Sequence, residues 1–325
     1  MKISSRPLWG MILASGTLLA QQGTLSGPVA GFVFDNSAHS LRPIRGVPGA
    51  SLVGDPINFG LDAAAVWVAP RQDSAIVVGT DQSLHLFALN GGVPAEISLG
   101  GIAGPPERVI FSPSGTSAAL MGATETRVLT GLPSAPELAG PIKVPGSISV
   151  VGGRNRIALA PSLALSDDGT YALTVAENSV MLLTPQGERR MLMAARSNAL
   201  VAFAPASHDA AVIDTNAGLT LIRDTAGAAG TQLLAAADDG LAGPVGIAFS
   251  PDGKTVYVAS ALSQSVAAFN LAAASRAAIA CNCTPTTLAP MGNAFRLTEL
   301  TAGPLWLLDA NAATPRTVFV PAHVE

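Results

Sequence analysis

The chain has little charge, few cysteines and no long apolar segment beyond its first 20 residues. Only 12% of its 325 residues are charged, about half the usual share, while 49% are hydrophobic. After residue 20, no run of eighteen or more apolar residues escapes interruption by Gly, Pro or polar residues, which argues against a transmembrane helix. The 33 Gly and 24 Pro divide the apolar residues into short pieces, and this composition favours an all-β protein.

The first 20 residues have the pattern of a secretory signal. Lys2 and Arg6 form a short basic region, and the apolar stretch that follows ends in small residues. We therefore expect a signal peptide at residues 1–20 and a secreted or periplasmic protein, with a buried N-terminal strand or helix as the alternative. Cleavage would leave 16 Lys and Arg against 22 Asp and Glu, a net charge of −6. A mildly acidic chain without a basic run argues against a nucleic-acid partner.

The two cysteines, Cys281 and Cys283, are separated by one residue. An oxidising compartment would favour their pairing, but a bridge between residues two apart closes a very small ring. Three states stay open: free or partly buried thiols, a strained disulfide, or half of a metal site. No His or third Cys has metal-finger spacing, so a metal site is the least favoured state. We predict no metal and no cofactor.

A hairpin pattern recurs six times along the chain. In its clearest copy, residues 247–260 (IAFSPDGKTVYVAS), an apolar strand runs into a Pro-Asp-Gly turn and a second strand leaves it. Proline presets φ at the first turn position, and glycine accepts the positive φ that closes the turn. The mean spacing of the turns is 44 residues, within the range of four-stranded propeller blades. The turns are anchored at Pro70, Pro113, Asp167, Pro205, Pro251 and Pro290.

A third and a weaker fourth apolar strand follow each hairpin, without helical periodicity between them. The sequence therefore predicts an all-β fold, a β-propeller of four-stranded antiparallel blades, as a single domain over residues 21–325. A β-sandwich with irregular strands is the alternative. The predicted blades span approximately 64–99, 107–142, 158–193, 199–235, 245–280 and 286–322.

Residues 27–44 (GPVAGFVFDNSAHSLRPI) match the second half of the last repeat. We predict that they supply strands three and four of a further, incomplete blade. Seven blades are favoured on this basis. The alternative is six blades with an N-terminal hairpin packed on the edge of the ring.

The repeat at 249–271, with FSPDGKTVYVAS followed by SVAAFNL, resembles the repeat of the YVTN/lactonase-type β-propellers, a group that overlaps with WD40-like and PD40 repeats. The similarity is fair at 109–130 and 163–193 and weaker elsewhere. The Gly-His and Trp-Asp signatures of true WD40 repeats are absent. The resemblance implies an extracytoplasmic bacterial propeller that binds a partner or ligand; the family includes lactonases, and most of its relatives are scaffolds.

No set of residues in the sequence converges on a catalytic site. Lactonase-type relatives use a polar cluster of His, Glu and Arg in the central cleft, whereas the histidines of this chain fall in different strands and turns. They are His39, His85, His208 and His323. No Gly-x-Ser-x-Gly elbow, His-Glu-x-x-His helix or phosphate loop is present. The Asp pairs at 167–168 and 238–239 are interpreted as turn carboxylates rather than as paired catalytic acids or a calcium site.

We therefore predict a non-catalytic protein- or ligand-binding scaffold, with a lactonase-type or other hydrolase on the same fold as the alternative. In a propeller, the loops between strands two and three and the links between blades share one rim of the channel, and loops on rigid scaffolds carry function. The predicted contact residues on the first set of loops are Asp81, Glu125, Glu177, Asn178, Asn216, Gln264 and Glu299. Those on the links are Glu107, Arg154, Arg156, Asp238 and Asp239. The insertion-like segment 143–157 is the first choice, because its two Arg residues are of a type enriched at interfaces.

Overall fold

The computed structural model describes residues 27–89, 93–100, 104–122, 125–142, 144, 162–184 and 186–322. Within these residues the chain forms seven antiparallel sheets, arranged as the blades of a β-propeller. Six sheets have four strands and the N-terminal sheet has three. The prediction of an all-β propeller with seven blades is confirmed. The described residues contain no helix, and so none long and apolar enough to cross a membrane.

The strands of the first four blades have the following bounds. Blade 1 contains β1 (Val29–Asp35), β2 (Ser40–Val47) and β3 (Ala50–Val53). Blade 2 contains β4 (Ala63–Val68), β5 (Ser74–Gly79), β6 (Leu84–Ala88) and β7 (Ala95–Ile97). Blade 3 contains β8 (Arg108–Phe111), β9 (Ala118–Met121), β10 (Thr126–Thr130) and β11 (Glu137–Ile142). Blade 4 contains β12 (Leu163–Leu165), β13 (Ala172–Ala176), β14 (Ser179–Leu183) and β15 (Arg189–Ala194).

The remaining three blades follow the same pattern. Blade 5 contains β16 (Leu200–Phe203), β17 (Ala210–Asp214), β18 (Gly218–Arg223) and β19 (Gly230–Ala235). Blade 6 contains β20 (Pro244–Phe249), β21 (Thr255–Ser260), β22 (Ser265–Asn270) and β23 (Ser275–Ala280). Blade 7 contains β24 (Ala289–Met291), β25 (Ala294–Arg296), β26 (Leu305–Asp309) and β27 (Arg316–Val320). The six hairpin repeats in the sequence are the first two strands of blades 2 to 7.

The apolar core lies between blades rather than within one sheet. Every residue of β5 and β17 is buried, because these strands pack against a neighbouring blade on each face. This two-sided burial explains why sequences such as SAIVVG are continuously apolar instead of alternating. The outermost strands face solvent, and five of the six residues of β23 are exposed.

The N-terminal blade differs from the prediction in its radial arrangement. Residues 27–44 were expected to form strands three and four, but β1 and β2 are the first and second strands of their sheet, and β3 is the third. β1 contacts the innermost strands β4 and β24 of the two flanking blades, so it lines the centre of the ring. The local pattern of strand, polar turn and strand is the same in an inner and an outer hairpin, and therefore did not reveal this position.

The hairpin turns between strands one and two of blades 2 to 7 lie at one end of the channel, which we call the turn face. Here the turn of blade 7 reaches the turn of blade 2 directly, because Gly292 N donates to the Pro70 carbonyl at 2.7 Å. Blade 1 lies between blades 7 and 2, and its strand β1 contacts both of these turns. Phe32 N donates to Gln72 Oε1 at 2.7 Å, and Gly31 packs against Met291. Seven sheets therefore form the ring, but only six of their turns surround the channel at this face.

Candidate functional site

The centre of the propeller contains a cavity of about 570 Å³ at the turn face. The innermost strands and turns of blades 2 to 7 form its walls, and blade 1 does not contribute. Its volume falls within the range of small-molecule binding pockets. The cavity is the strongest candidate for a binding site among the described residues.

The walls of this first cavity are mainly apolar. Strands β4, β8, β16 and β20 contribute aliphatic and aromatic side chains near their ends, including Val68, Phe111, Val201 and Ile247. At the mouth, five turn prolines stand at equivalent positions: Pro70, Pro113, Pro205, Pro251 and Pro290. Proline rings present carbon atoms and no N–H donor, so the rim of the mouth is itself weakly polar. The repeated proline that shapes each turn thus also shapes the entrance.

Asp167 stands where blade 4 lacks the turn proline, and its carboxylate joins the turns on either side. Ser114 N donates to one carboxylate oxygen at 2.7 Å, and Ala206 N donates to the other at 2.7 Å. The carbonyl of Asp167 also accepts bonds from Thr116 Oγ1 and Ser117 Oγ of blade 3, at 2.7 and 2.8 Å. One side chain therefore connects three consecutive blades at the mouth, and Asp167 is a structural turn carboxylate.

Asp168 stabilises the same turn and faces a histidine of the next blade. Its carboxylate accepts bonds from Ser166 Oγ at 2.5 Å and Thr170 N at 3.0 Å, and lies 3.1 Å from His208 Nε2. Burial raises the pKa of Asp168, but hydrogen bonds from Ser166, Thr170 and His208 outweigh this effect and lower the pKa to about 2. Ser166 is fully buried, so its hydroxyl cannot reach a substrate. Neither Asp168 nor His208 lines the cavity.

A second cavity of about 340 Å³ lies between blades 1, 2, 3 and 7. It shares four lining residues with the first cavity, so the two are parts of one channel. The shared residues are Val68, Phe111, Ala289 and Pro290. Its other walls include polar groups: Asn36, Trp67, Gln72, Arg296 and Glu299. The channel therefore has an apolar part and a more polar part.

Several predicted rim residues serve their own hairpins. Glu177 and Asn178 are the two central residues of the β13–β14 turn, with φ values of 52° and 57°, as a type I′ turn requires. Gln264 has a φ of 49° in the corresponding turn of blade 6. The Asn216 amide faces the Arg196 guanidinium. These residues have local structural roles, and their contact role stays a prediction.

Two of the predicted acidic residues on the loops between strands two and three pair with arginines. Glu125 pairs with Arg127, and Glu299 pairs with Arg296. Glu299 is the one described rim residue that lines either cavity, and it lines the second. The structure therefore does not gather the predicted rim residues into one site.

The links between blades carry the remaining predicted contacts. Glu107 is exposed just before β8, and Asp238 is exposed in the link that precedes β20. Asp239 accepts a hydrogen bond from Ala236 N at 2.8 Å, and its backbone carbonyl accepts one from Arg276. Three predicted positions lie outside the described residues: Arg154, Arg156 and His323.

His85 lies in a polar chain on strands three and four of blade 2. Ser83 Oγ is 2.7 Å from His85 Nε2, and His85 Nδ1 is 2.6 Å from Glu96 Oε1, the order found in nucleophilic triads. Ser83 Oγ also donates to the Asp81 carboxylate, and the bonds from Ser83 lower the pKa of Asp81. The Ser83 proton is therefore directed to Asp81, and the four residues line neither cavity.

Of the three states left open for the cysteines, the structure has the disulfide. Cys281 and Cys283 are bonded, with their Cα atoms 5.0 Å apart, in the link between blades 6 and 7. Cys281 is buried and packs in the cluster between these blades. No group of three or more His, Cys, Asp or Glu side chains within the described residues has the arrangement of a metal site.

The cavity walls were not identified from the sequence. The sequence identified Val68 and Ile247 only as members of apolar strands, because an apolar residue on an inner strand gives no sign of whether it faces a blade or the channel. The prolines were interpreted only as turn formers. Their recurrence at one phase was the available signal, since equivalent turn residues of a closed ring must meet around its axis.

No protein-family model and no curated protein sequence matches this chain. Solved structures do match its fold. A functionally unknown protein from Desulfotomaculum acetoxidans DSM 771 is 13% identical with a TM-score of 0.55, over 90% of this chain and 99% of that chain. Apo AztD from Citrobacter koseri is 12% identical with a TM-score of 0.53, over 90% and 95%. Kuenenia stuttgartiensis hydrazine synthase is 13% identical with a TM-score of 0.49, over 93% and 99%.

The similarity to the first two of these structures shows the β-propeller fold and nothing more specific. The resemblance of the repeat to YVTN/lactonase-type propellers therefore stays an interpretation of the sequence motif.

Proposed function

We propose that this protein is a non-catalytic binding propeller that takes an apolar small molecule in its central channel, at the turn face. The observation that carries the proposal is the first cavity, with its apolar walls and its mouth of five prolines. Ligand pockets are typically concave, mostly apolar and formed before the ligand arrives. The rigid hairpins around this cavity meet that description.

The proposal changes the side of the propeller on which binding is expected. The loops of the opposite rim were favoured because loops on rigid scaffolds carry function. Their described side chains are mostly engaged in their own turns or lie beside arginines, whereas the turns of the turn face surround the first cavity. Contact of a protein partner with that rim, including Arg154 and Arg156, remains a prediction.

A fluorescence titration with the neutral apolar probe N-phenyl-1-naphthylamine tests the proposal. Ala202 lines the first cavity, so Ala202→Phe places a bulky ring in the space the probe would occupy. We expect this variant to weaken probe binding by at least about tenfold, because the close-packed strands around the cavity cannot move apart enough to accommodate both the phenyl ring and the probe. Ala278→Phe is the matched control, since Ala278 is exposed on the outer strand β23.

The proposal fails if the unaltered protein does not bind the probe, or if Ala202→Phe binds it as tightly as Ala278→Phe does. Circular dichroism of both variants establishes that each is folded before the comparison. The hydrolase alternative receives no support from the three described histidines, because His39, His85 and His208 line neither cavity.

We also propose an extracytoplasmic location. The support is the signal-like pattern of residues 1–20 together with the Cys281–Cys283 disulfide, since disulfides persist mainly in oxidising compartments. Fractionation of cells that express the full chain tests this location. Recovery of the intact chain from the cytoplasm alone would contradict it.

A further inference from the structure

The two cavities form one channel whose ends differ in chemistry. Both cavities are lined by Val68, Phe111, Ala289 and Pro290, and they meet at these four residues. The first cavity is bounded mainly by carbon atoms. The second adds hydrogen-bonding groups on its walls. A single molecule that fills both parts would need an apolar body and a polar head.

Two polar groups of the second cavity have hydrogen-bonding capacity left for a ligand. Trp67 and Asn36 both line this cavity, Trp67 half-buried and Asn36 exposed in the turn between β1 and β2. Among the described residues, no hydrogen bond engages the Trp67 indole N–H or the Asn36 side-chain amide. The Gln72 amide is already engaged, because its oxygen accepts from Phe32 N and its nitrogen donates to the Ala69 carbonyl at 3.0 Å. The groups available to a head are therefore one indole donor and one amide.

The charges of the second cavity compensate each other. Arg296 donates to the Glu299 carboxylate and to the Thr298 carbonyl, the latter at 3.3 Å. The Arg296 side chain is 20% exposed and the Glu299 side chain 48% exposed. The one charged side chain that lines the first cavity, Arg71, is also paired, because its Nε lies 2.9 Å from Asp73 Oδ2. A ligand charge of either sign would therefore meet ion pairs rather than a free counter-charge, and desolvation of an uncompensated charge is unfavourable.

We infer that the ligand of the channel is a neutral amphiphile, with an apolar body in the first cavity and an uncharged hydrogen-bonding head, such as a hydroxyl or a carbonyl, in the second. This inference rests on the proposed function and adds the chemical class of the ligand. Trp67 N–H donates to the head oxygen, and the Asn36 amide pairs with a second polar atom of the head. Carboxylates and ammonium compounds with the same apolar body bind more weakly, because the charged side chains that line the channel are already paired.

The test is a displacement series at pH 7 with N-phenyl-1-naphthylamine as the bound probe and three competitors that share one alkyl chain. They are 1-decanol, decanoate and decylammonium, each used below the concentration at which it aggregates. We expect 1-decanol to displace the probe at least about tenfold more tightly than either charged compound, because only the neutral head avoids the cost of an uncompensated charge. Equal or tighter binding of a charged competitor overturns the inference.

A variant identifies the head site. Trp67→Phe removes the indole N–H and keeps an aromatic wall, so 1-decanol should bind about five- to tenfold more weakly. Probe affinity should be unchanged, since the probe body occupies the first cavity. Trp306→Phe is the control, because Trp306 packs against Phe319 in blade 7 and lines neither cavity. Equal 1-decanol affinity in the two variants also overturns the inference.

The failures of the two proposals are distinguishable. If Ala202→Phe weakens probe binding but the neutral competitor displaces the probe no better than the charged ones, the inference fails and the proposed function stands. Absence of probe binding removes both.

Discussion

Replacement of Asp167 by asparagine should loosen the turns of two neighbouring blades as well as its own. The carboxylate accepts Ser114 N and Ala206 N, one on each oxygen and both at 2.7 Å. An asparagine of the same shape has one acceptor oxygen, so its NH₂ group must face one of the two N–H donors. One hydrogen bond is lost, and the other loses its charge assistance.

The size of the effect follows from these two bonds. A hydrogen bond to a charged group contributes about 1.5–3 kcal/mol, and the lower end applies here because water reaches the Ala206 turn. Loss of one bond and weakening of the second should lower the free energy of unfolding by roughly 2 kcal/mol. Denaturant titration measures this quantity.

Hydrogen–deuterium exchange distinguishes loss of the two bridging hydrogen bonds of Asp167 from a general loss of stability. In Asp167→Asn, the peptides that carry Ser114 and Ala206 should exchange faster, while the turn of blade 6 is unchanged. Asp252→Asn is the matched control, since Asp252 accepts only from Ser250 Oγ and Lys254 N within its own turn. The reasoning is refuted if Asp167→Asn leaves both neighbouring turns unchanged, or costs less than about 0.5 kcal/mol, the usual range of a surface substitution.

Three further predictions concern blade closure, the disulfide and pH. Gly31→Ala should lower the free energy of unfolding by about 1–3 kcal/mol, because the new Cβ overlaps the Met291 side chain. Met291→Ala in the same chain should recover part of this loss. Strictly additive losses in the double mutant would contradict the contact. Reduction of Cys281–Cys283 should cost only about 1.6 kcal/mol, since the loop it closes has three residues, and a loss above about 3 kcal/mol in denaturant titration would be inconsistent with this view. The lowered pKa of Asp168 contributes stability that is present above pH 3.8 and is lost as the pH falls towards about 2. The full shift corresponds to about 2.4 kcal/mol, but the side chain is 47% exposed. We therefore expect Asp168→Asn to cost about 1 kcal/mol at pH 7 and nothing near pH 2, and equal losses at the two pH values would exclude the carboxylate as the cause.

Most of the fold prediction, including the propeller class and the blade repeat, rested on the repeated turns. Pro113, Pro205 and Pro251 each lie between the first two strands of a blade, and the strand bounds of blades 2 to 7 fall within a few residues of the predicted ranges. Local turn chemistry is sufficient here, because Pro and Gly restrict φ wherever the turn occurs. The prediction for residues 27–44 was wrong in strand order, since a hairpin has the same local pattern at any radius of the ring.

The binding side could not be derived in the same way. Polar loop residues such as Glu177 and Asn178 were predicted as contacts, yet both occupy the positive-φ positions of a hairpin turn. Ala202 and Ile247 were predicted only as parts of apolar strands, although both line the cavity. Exposure of an inner-strand residue to the channel depends on how closely the opposite blades approach, and strand sequence does not encode this distance.

The sequence by itself determined the all-β class, the blade repeat and the positions of the turn prolines, because these features depend on backbone preferences and on burial of both faces of each blade. Only the tertiary structure decided that six turns surround the mouth while blade 1 is wedged behind them, that Asp167 connects three blades, and that an apolar cavity joins a polar one. These features arise from contacts between residues far apart in the chain, such as Gly292 with Pro70 and Gln72 with Phe32. They exist only once the ring has closed.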